Sequence, residues 1–198
     1  MIIPAMLSLV GCSALAELPI GPAASNEPGV ANLVANLMKT YHYDGRAVDD
    51  QMATEWLDQY FESLDFGRAI FLQSDVDRFR AMAATMDDDI RSREPQLEVA
   101  RQVYDLYRKR VAERVADANA ILDAGVDLTD DEDYHYDRSA SEWPKDAAEA
   151  KEIWRQRVEE QFILGNQAKR SDEETTEMLR KRYHRMQADV DSADSLDI

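Results

Sequence analysis

An all-α bundle of about six helices is the fold class this sequence predicts, and three observations predict it. Apolar residues recur at three- and four-residue steps in six separate segments, and pairs of residues suited to helix capping precede several of them. No segment alternates apolar and polar residues as a half-buried strand would. The segments also lack the fixed period and self-similarity of a helical solenoid.

Val30, Leu33, Val34, Leu37, Met38 and Tyr41 place one apolar face on a first helix. Met52, Trp56, Leu57, Tyr60, Phe61 and Leu64 do so on a second, preceded by Asp49 and Asp50, whose carboxylates suit the positive end of a helix. Ser74 with Asp77 resembles a capping pair opening a third helix, with Val76, Phe79, Ala83, Met86 and Ile90 as its buried face. Pro95 suits the first turn of a fourth, whose apolar stripe (Leu97, Ala100, Tyr104, Tyr107, Val111, Val115, Ala118, Leu122) runs to a stop at Gly125. Asp146 with Glu149 opens a fifth, built on Ala150, Ile153, Trp154, Val158 and Phe162. Ser171 with Glu174 opens a sixth, built on Met178, Leu179, Tyr183, Met186 and Val190. At this spacing Trp56, Tyr60, Phe61, Phe66, Phe71 and Phe79 are expected in the core rather than around a ligand.

A chain of 198 residues with 44% hydrophobic content can bury one sizeable core. The predicted organisation is a signal-type segment over residues 1–12, a tether over 13–29, the helical domain over 30–191 and a polar tail over 192–198. Lys and Arg number 23 against 40 Asp and Glu, a formal charge of −17 that repels nucleic-acid phosphates and anionic membrane surfaces. No nucleic-acid partner is expected. The acidic residues are interspersed with Arg along the helical patterns, which predicts a solvated surface rather than an acidic recognition face.

Residues 2–11 form an apolar run too short to cross a bilayer as a helix, and Leu9, Val10, Gly11 and Cys12 resemble the end of a bacterial lipoprotein signal. Cys12 is the sole cysteine, so no internal disulfide is available. It is the predicted lipidation site, and its acyl chains would hold the protein to a membrane. Ser13 in place of Asp favours the outer membrane, and the expected location is the periplasm of a Gram-negative bacterium. The first basic residue is Lys39, so the positive charge that usually precedes such a run is missing and the true start is expected elsewhere. Pro19, Pro22 and Pro28, set among Gly, Ala and Ser, predict the tether.

Three patterns invite a chemical reading. Ser139, Ala140, Ser141 and Glu142 stand in a polar loop closed by Trp143 and Pro144. A nucleophilic serine needs a base and oxyanion donors, and nothing in the sequence fixes Lys145 or Lys169 beside a hydroxyl. Tyr41, His42, Tyr43 and Asp44 recur as Tyr134, His135, Tyr136 and Asp137, but His and Asp two apart outside a helix set no zinc geometry, and both are expected to wedge loops against the core. His184 reads as a surface residue. Asp127, Asp130, Asp131, Glu132 and Asp133 form an acidic run without the mid-loop Gly and alternation of a calcium loop. No catalytic residue, metal ligand or cofactor is assigned to the chain.

Five stretches carry a resemblance. They are Tyr41-His42-Tyr43; Leu64-Asp65 followed by Phe71-Leu72-Gln73-Ser74-Asp75-Val76; Tyr104-Asp105-Leu106-Tyr107; Asp137-Arg138-Ser139 with Trp143-Pro144-Lys145; and Arg180-Lys181-Arg182-Tyr183. Their order and spacing resemble the amino-terminal helical domain of the tail-specific, or carboxy-terminal processing, serine proteases, over residues 30–194. That resemblance implies a domain packed around a PDZ module and a Ser/Lys catalytic domain, helping to hold and admit protein substrates with apolar carboxy-terminal tails. It carries over no catalytic serine, catalytic lysine or PDZ carboxylate loop, so the chain alone is expected not to be an enzyme. A fragment, frameshift or split gene is expected rather than a complete protease. The alternative is a stand-alone lipid-anchored helical module that binds protein partners in the cell envelope, and a hydrolase centred on Ser139 or Ser141 ranks last.

Overall fold

The computed structural model describes residues 27–41, 49–92, 94–129 and 133–193. Cys12, most of the tether, His42, Tyr43, Asp44, Asp130, Asp131, Glu132 and the end of the polar tail lie outside the described residues. Among those described are seven helices and no strand: α1 (Glu27–Tyr41), α2 (Asp50–Leu64), α3 (Gln73–Arg80), α4 (Ala83–Arg91), α5 (Glu98–Ala124), α6 (Ala147–Gln167) and α7 (Asp172–Ser192).

Local chemistry explains most of the boundaries. Asp49 caps α2 by accepting from the Met52 amide, and Asp146 caps α6 by accepting from that of Glu149. Ser171 and Glu174 form a reciprocal capping box on α7: the Ser171 hydroxyl accepts from the Glu174 amide, and the Glu174 carboxylate accepts from the Ser171 amide. Gly125 closes α5 at φ 83, in the region that favours glycine.

Two starts differ from expectation. The carboxylate that caps α3 belongs to Asp75, which accepts from the Leu72 amide at 2.9 Å, and Ser74 is exposed. Pro95 is buried ahead of α5 instead of inside its first turn, and the turn that follows is tied down by Asp89, which accepts from the amides of Gln96 and Leu97.

The expected third helix is two helices. At residues 81–82 the chain tightens, with the Met82 amide donating to Phe79 and the Thr85 amide to Met82. The break turns Val76 and Phe79 into one cluster while Ile90 enters another. The apolar period runs unbroken through the segment, so only tertiary packing places the bend.

The larger cluster joins α2, α3, α5, α6 and α7. Phe61, wholly buried, meets Phe71 edge-on at a centroid distance of 4.8 Å and also contacts Phe79 and Trp143. Burying a side chain of this kind stabilises the fold by roughly 1.5–3 kcal/mol. The smaller cluster, around Ala35, Met52 and Ile90, holds α1 and α2 to α4. There the Asn32 side-chain amide donates to the carbonyls of Ile90 and Ser92. Val30, Leu33, Val34 and Leu37 do not face either cluster: they are 44–57% exposed along one stripe of α1. No described helix is long and apolar enough to cross a membrane.

Candidate functional site

The two most distinctive sequence stretches meet around Asp65. Helix α2 ends when the Asp65 amide donates to Phe61, and the loop that follows curls back over the Asp65 carboxylate. Oδ1 accepts from the Ala69 amide at 2.9 Å, and Oδ2 accepts from Ile70 at 2.9 Å and Phe71 at 3.1 Å. Three successive backbone N–H groups thus converge on one carboxylate that is 4% exposed. Burial pushes its pKa up, while the three amides and the nearby Arg157 cation pull it back.

Residues 138–145 close the knot from the other side. The Trp143 indole N–H donates to Asp65 Oδ2 at 3.2 Å, and the Pro144 carbonyl accepts from the Gln73 amide at 2.8 Å. Arg68, held at φ 44, lays its guanidinium over the Trp143 ring at 4.5 Å and donates to the Ser141 carbonyl. The Trp154 indole, from α6, donates to the Ala69 carbonyl at 2.8 Å. Beyond the loop, Asp75 takes both nitrogens of a bidentate Arg110 fork at 2.8 and 2.9 Å, which pins α3 to α5.

Ser139 sits beside this knot without any catalytic partner. Its amide and its hydroxyl both donate to Asp137 Oδ1, at 3.0 and 2.6 Å, and those bonds hold the Asp137 carboxyl below the usual range. Lys145 and Lys169 are exposed. Among the described residues no lysine amine bonds to Ser139 or Ser141; Lys181 bonds Glu177 instead. The arrangement is a side-chain-capped turn, in which the Ser139 hydroxyl meets a carboxylate held below its usual pKa range, a poor acceptor for its proton. Asp127 uses its carboxylate in the same way on Thr129. His184 is exposed on α7. No group of three or more possible metal-ligating side chains occurs among the described residues.

Next to the knot a cleft of about 720 Å³ opens between the 134–139 segment, α6 and α7. Arg138, Arg157 and Arg182 point into it, and none of the three forms an ion pair among the described residues. Arg157 lies 5.6 Å from the Trp154 ring centroid, and Gly67 leaves room for its tip: a Cβ there would stand 2.8 Å from Arg157 Nη2. Arg182 is fixed by Gln161 at 2.9 Å. Arg138 donates to the Glu142 carbonyl, but its buried Nε has no hydrogen-bond partner. Burial lowers the Arg138 pKa, and the neighbouring Arg157 cation adds to the effect against the pull of Glu149. The Tyr134 hydroxyl sits between Arg157 and Glu160, and burial raises its pKa.

Sequence reasoning missed this cleft. It expected Phe66 in the core and Tyr136 wedged against it, yet they are 72% and 79% exposed. The available signal was the concentration of Arg at 138, 157 and 182 in a chain of net charge −17. Only the fold brings the three together.

Comparison with known proteins settles the family. Residues 33–198 match the family model described as the tail specific protease N-terminal domain. The chain belongs to that family. A tail-specific protease of Haemophilus influenzae is 32% identical over 164 residues, which is 82% of this chain and 24% of the relative. The chain therefore spans about a quarter of that protease's length. Within the stretches that carry the resemblance to the tail-specific protease N-terminal domain, Asp65, Asp75 and Trp143 make fold-building contacts.

Proposed function

We propose that this domain serves an exported tail-specific serine endopeptidase of a Gram-negative envelope as a non-catalytic part, helping to hold and admit substrates processed from their carboxy-terminal ends. The observation that carries this reading is the match to the family's N-terminal domain over residues 33–198. The Ser139 turn supports it, because its hydroxyl donates to the Asp137 carboxylate and not to a lysine amine of the Ser/Lys kind. Cleavage would depend on a PDZ module and Ser/Lys residues that this domain does not supply. The bare stripe of Val30, Leu33, Val34 and Leu37 supports docking to such neighbouring domains, since an apolar helix face left in water favours a partner.

In the same reading Cys12 carries a lipid that anchors the protein to the outer membrane, supported by the apolar run before it. Palmitate labelling in a bacterial host should mark the wild type and not Cys12→Ala; equal labelling of both, or of neither, removes the anchor.

The purified chain should not hydrolyse an unfolded protein with an apolar carboxy-terminal tail. Mixed with a family protease lacking its own helical domain, it should bind and restore cleavage. Hydrolysis by the chain alone that disappears in the Ser139→Ala, Ser141→Ala double variant would overturn the non-catalytic assignment. Failure to bind the protease would favour a stand-alone envelope module.

A further inference from the structure

We infer that the cleft between the 134–139 segment, α6 and α7 binds an extended polypeptide segment in which a carboxylate side chain lies next to an aromatic or aliphatic one. Charge complementarity is the first argument. Arg138, Arg157 and Arg182 bring three guanidinium groups, without ion-pair partners among the described residues, into one concavity of a chain whose net charge is −17. Guanidinium groups not paired to a carboxylate favour an incoming anion. Two carboxylates also line the cleft, Glu160 beside Tyr134 and Asp137 bonded to Ser139, and the three arginines outnumber them.

The rim decides the class of ligand. Phe66 and Tyr136 are the two most exposed large hydrophobic side chains described, and both stand at this cleft with Met186. A free phosphate or other small anion would use the arginines and leave these rings in water, whereas a peptide covers both. A nucleic acid would bring many more phosphates against a surface that is otherwise acidic. The volume of about 720 Å³ lies within the range of ~300–1,000 Å³ typical of ligand clefts and suits a few residues of extended chain. The binding goes beyond the role in proteolysis and does not depend on it, because every group invoked belongs to this domain.

The test uses the full chain and short labelled peptides capped at both ends, read by fluorescence anisotropy. One peptide carries two Asp flanking Phe and Leu, a second has Asn in place of both Asp, and a third has Ser in place of Phe and Leu. The Asp peptide should bind at least about tenfold more tightly than either control, and its affinity should fall as salt rises. Arg182→Gln and Tyr136→Ala alter exposed side chains, so both should keep the wild-type thermal midpoint while each weakens the Asp peptide several-fold. Gly67→Ala, which crowds Arg157, should weaken it as well. Equal binding of the Asp and Asn peptides, no binding at ~1 mM, or unchanged affinity in all three variants would overturn the inference. So would displacement of the Asp peptide by equimolar inorganic phosphate, which would mark a simple anion site. None of these results bears on whether the domain restores cleavage to a protease, so the two readings fail separately.

Discussion

The Trp143 indole N–H reaches across 78 residues of chain to the Asp65 carboxylate, at 3.2 Å, and that carboxylate already holds the amides of Ala69, Ile70 and Phe71. One buried acceptor therefore fixes both the turn after α2 and the loop before α6. Leaving a buried donor without a partner costs roughly 1–3 kcal/mol. Asp65→Ala strands four donors, with water entry offsetting part of the loss, and should destabilise the domain by about 3–5 kcal/mol. Trp143→Phe strands none and should cost less. Urea denaturation of both variants checks the order; a loss below ~1 kcal/mol for Asp65→Ala would mean that the carboxylate does not organise the loops.

Helices α6 and α7 approach closely where Gly165 faces Thr175. A Cβ at residue 165 would stand 2.5 Å from Thr175 Oγ1 and 3.2 Å from its Cγ2. Gly165→Ala should destabilise by about 1–3 kcal/mol through overpacking, despite the better helix propensity of Ala. Thr175 Oγ1 is buried without a hydrogen-bond partner, so trimming it forfeits no bond. The double variant Gly165→Ala, Thr175→Ala should recover much of the loss. Additive thermal shifts in the two single variants and the double would place the clash elsewhere.

Arg110 grips Asp75 with two nitrogens and Glu113 with a third. Those hydrogen bonds raise the Arg110 pKa further above its ordinary value. Lysine keeps the charge but not the fork, so Arg110→Lys should lose about 1–2 kcal/mol. Asp75→Asn should lose at least as much, because the same carboxylate also caps α3 at Leu72. A Lys variant with wild-type stability would show that charge alone suffices.

Burial pushes the phenols of Tyr60 and Tyr107 up to about 12, with Tyr104 adding to both and the Asp65 charge adding to Tyr107. In the unfolded chain they ionise near 10.0. Above that pH the unfolded state holds fewer protons than the folded state, so stability falls as pH rises from about 10 to about 12. Well below 10.0 the two states are equally protonated at these residues and no slope arises from them. The Tyr60→Phe, Tyr107→Phe double variant should lose stability less steeply over that window. Parallel curves for wild type and variant in alkaline denaturation would exclude these two phenols as the cause.

Sequence alone determined the helical class, the starts of α2, α6 and α7 and the stop at Gly125, because capping pairs, glycine stops and apolar periods act within a few residues along the chain, and its motif stretches carried the resemblance to the family. It also held the motifs around Asp65 and Trp143, without their meaning: a carboxylate reads as a surface charge until the partners that bury it arrive from distant residues. Tertiary structure decided the rest. It bent the third helix at residues 81–82, where an unbroken period had to serve two clusters, and it left the α1 stripe bare. It turned Phe66 outward because the loop wrapped around Asp65 buries Ile70 and Phe71 instead. It gathered Arg138, Arg157 and Arg182, which lie on three separate elements, into one cleft. Burial and charge at such a place depend on which elements pack together, and no local pattern in the chain encodes that.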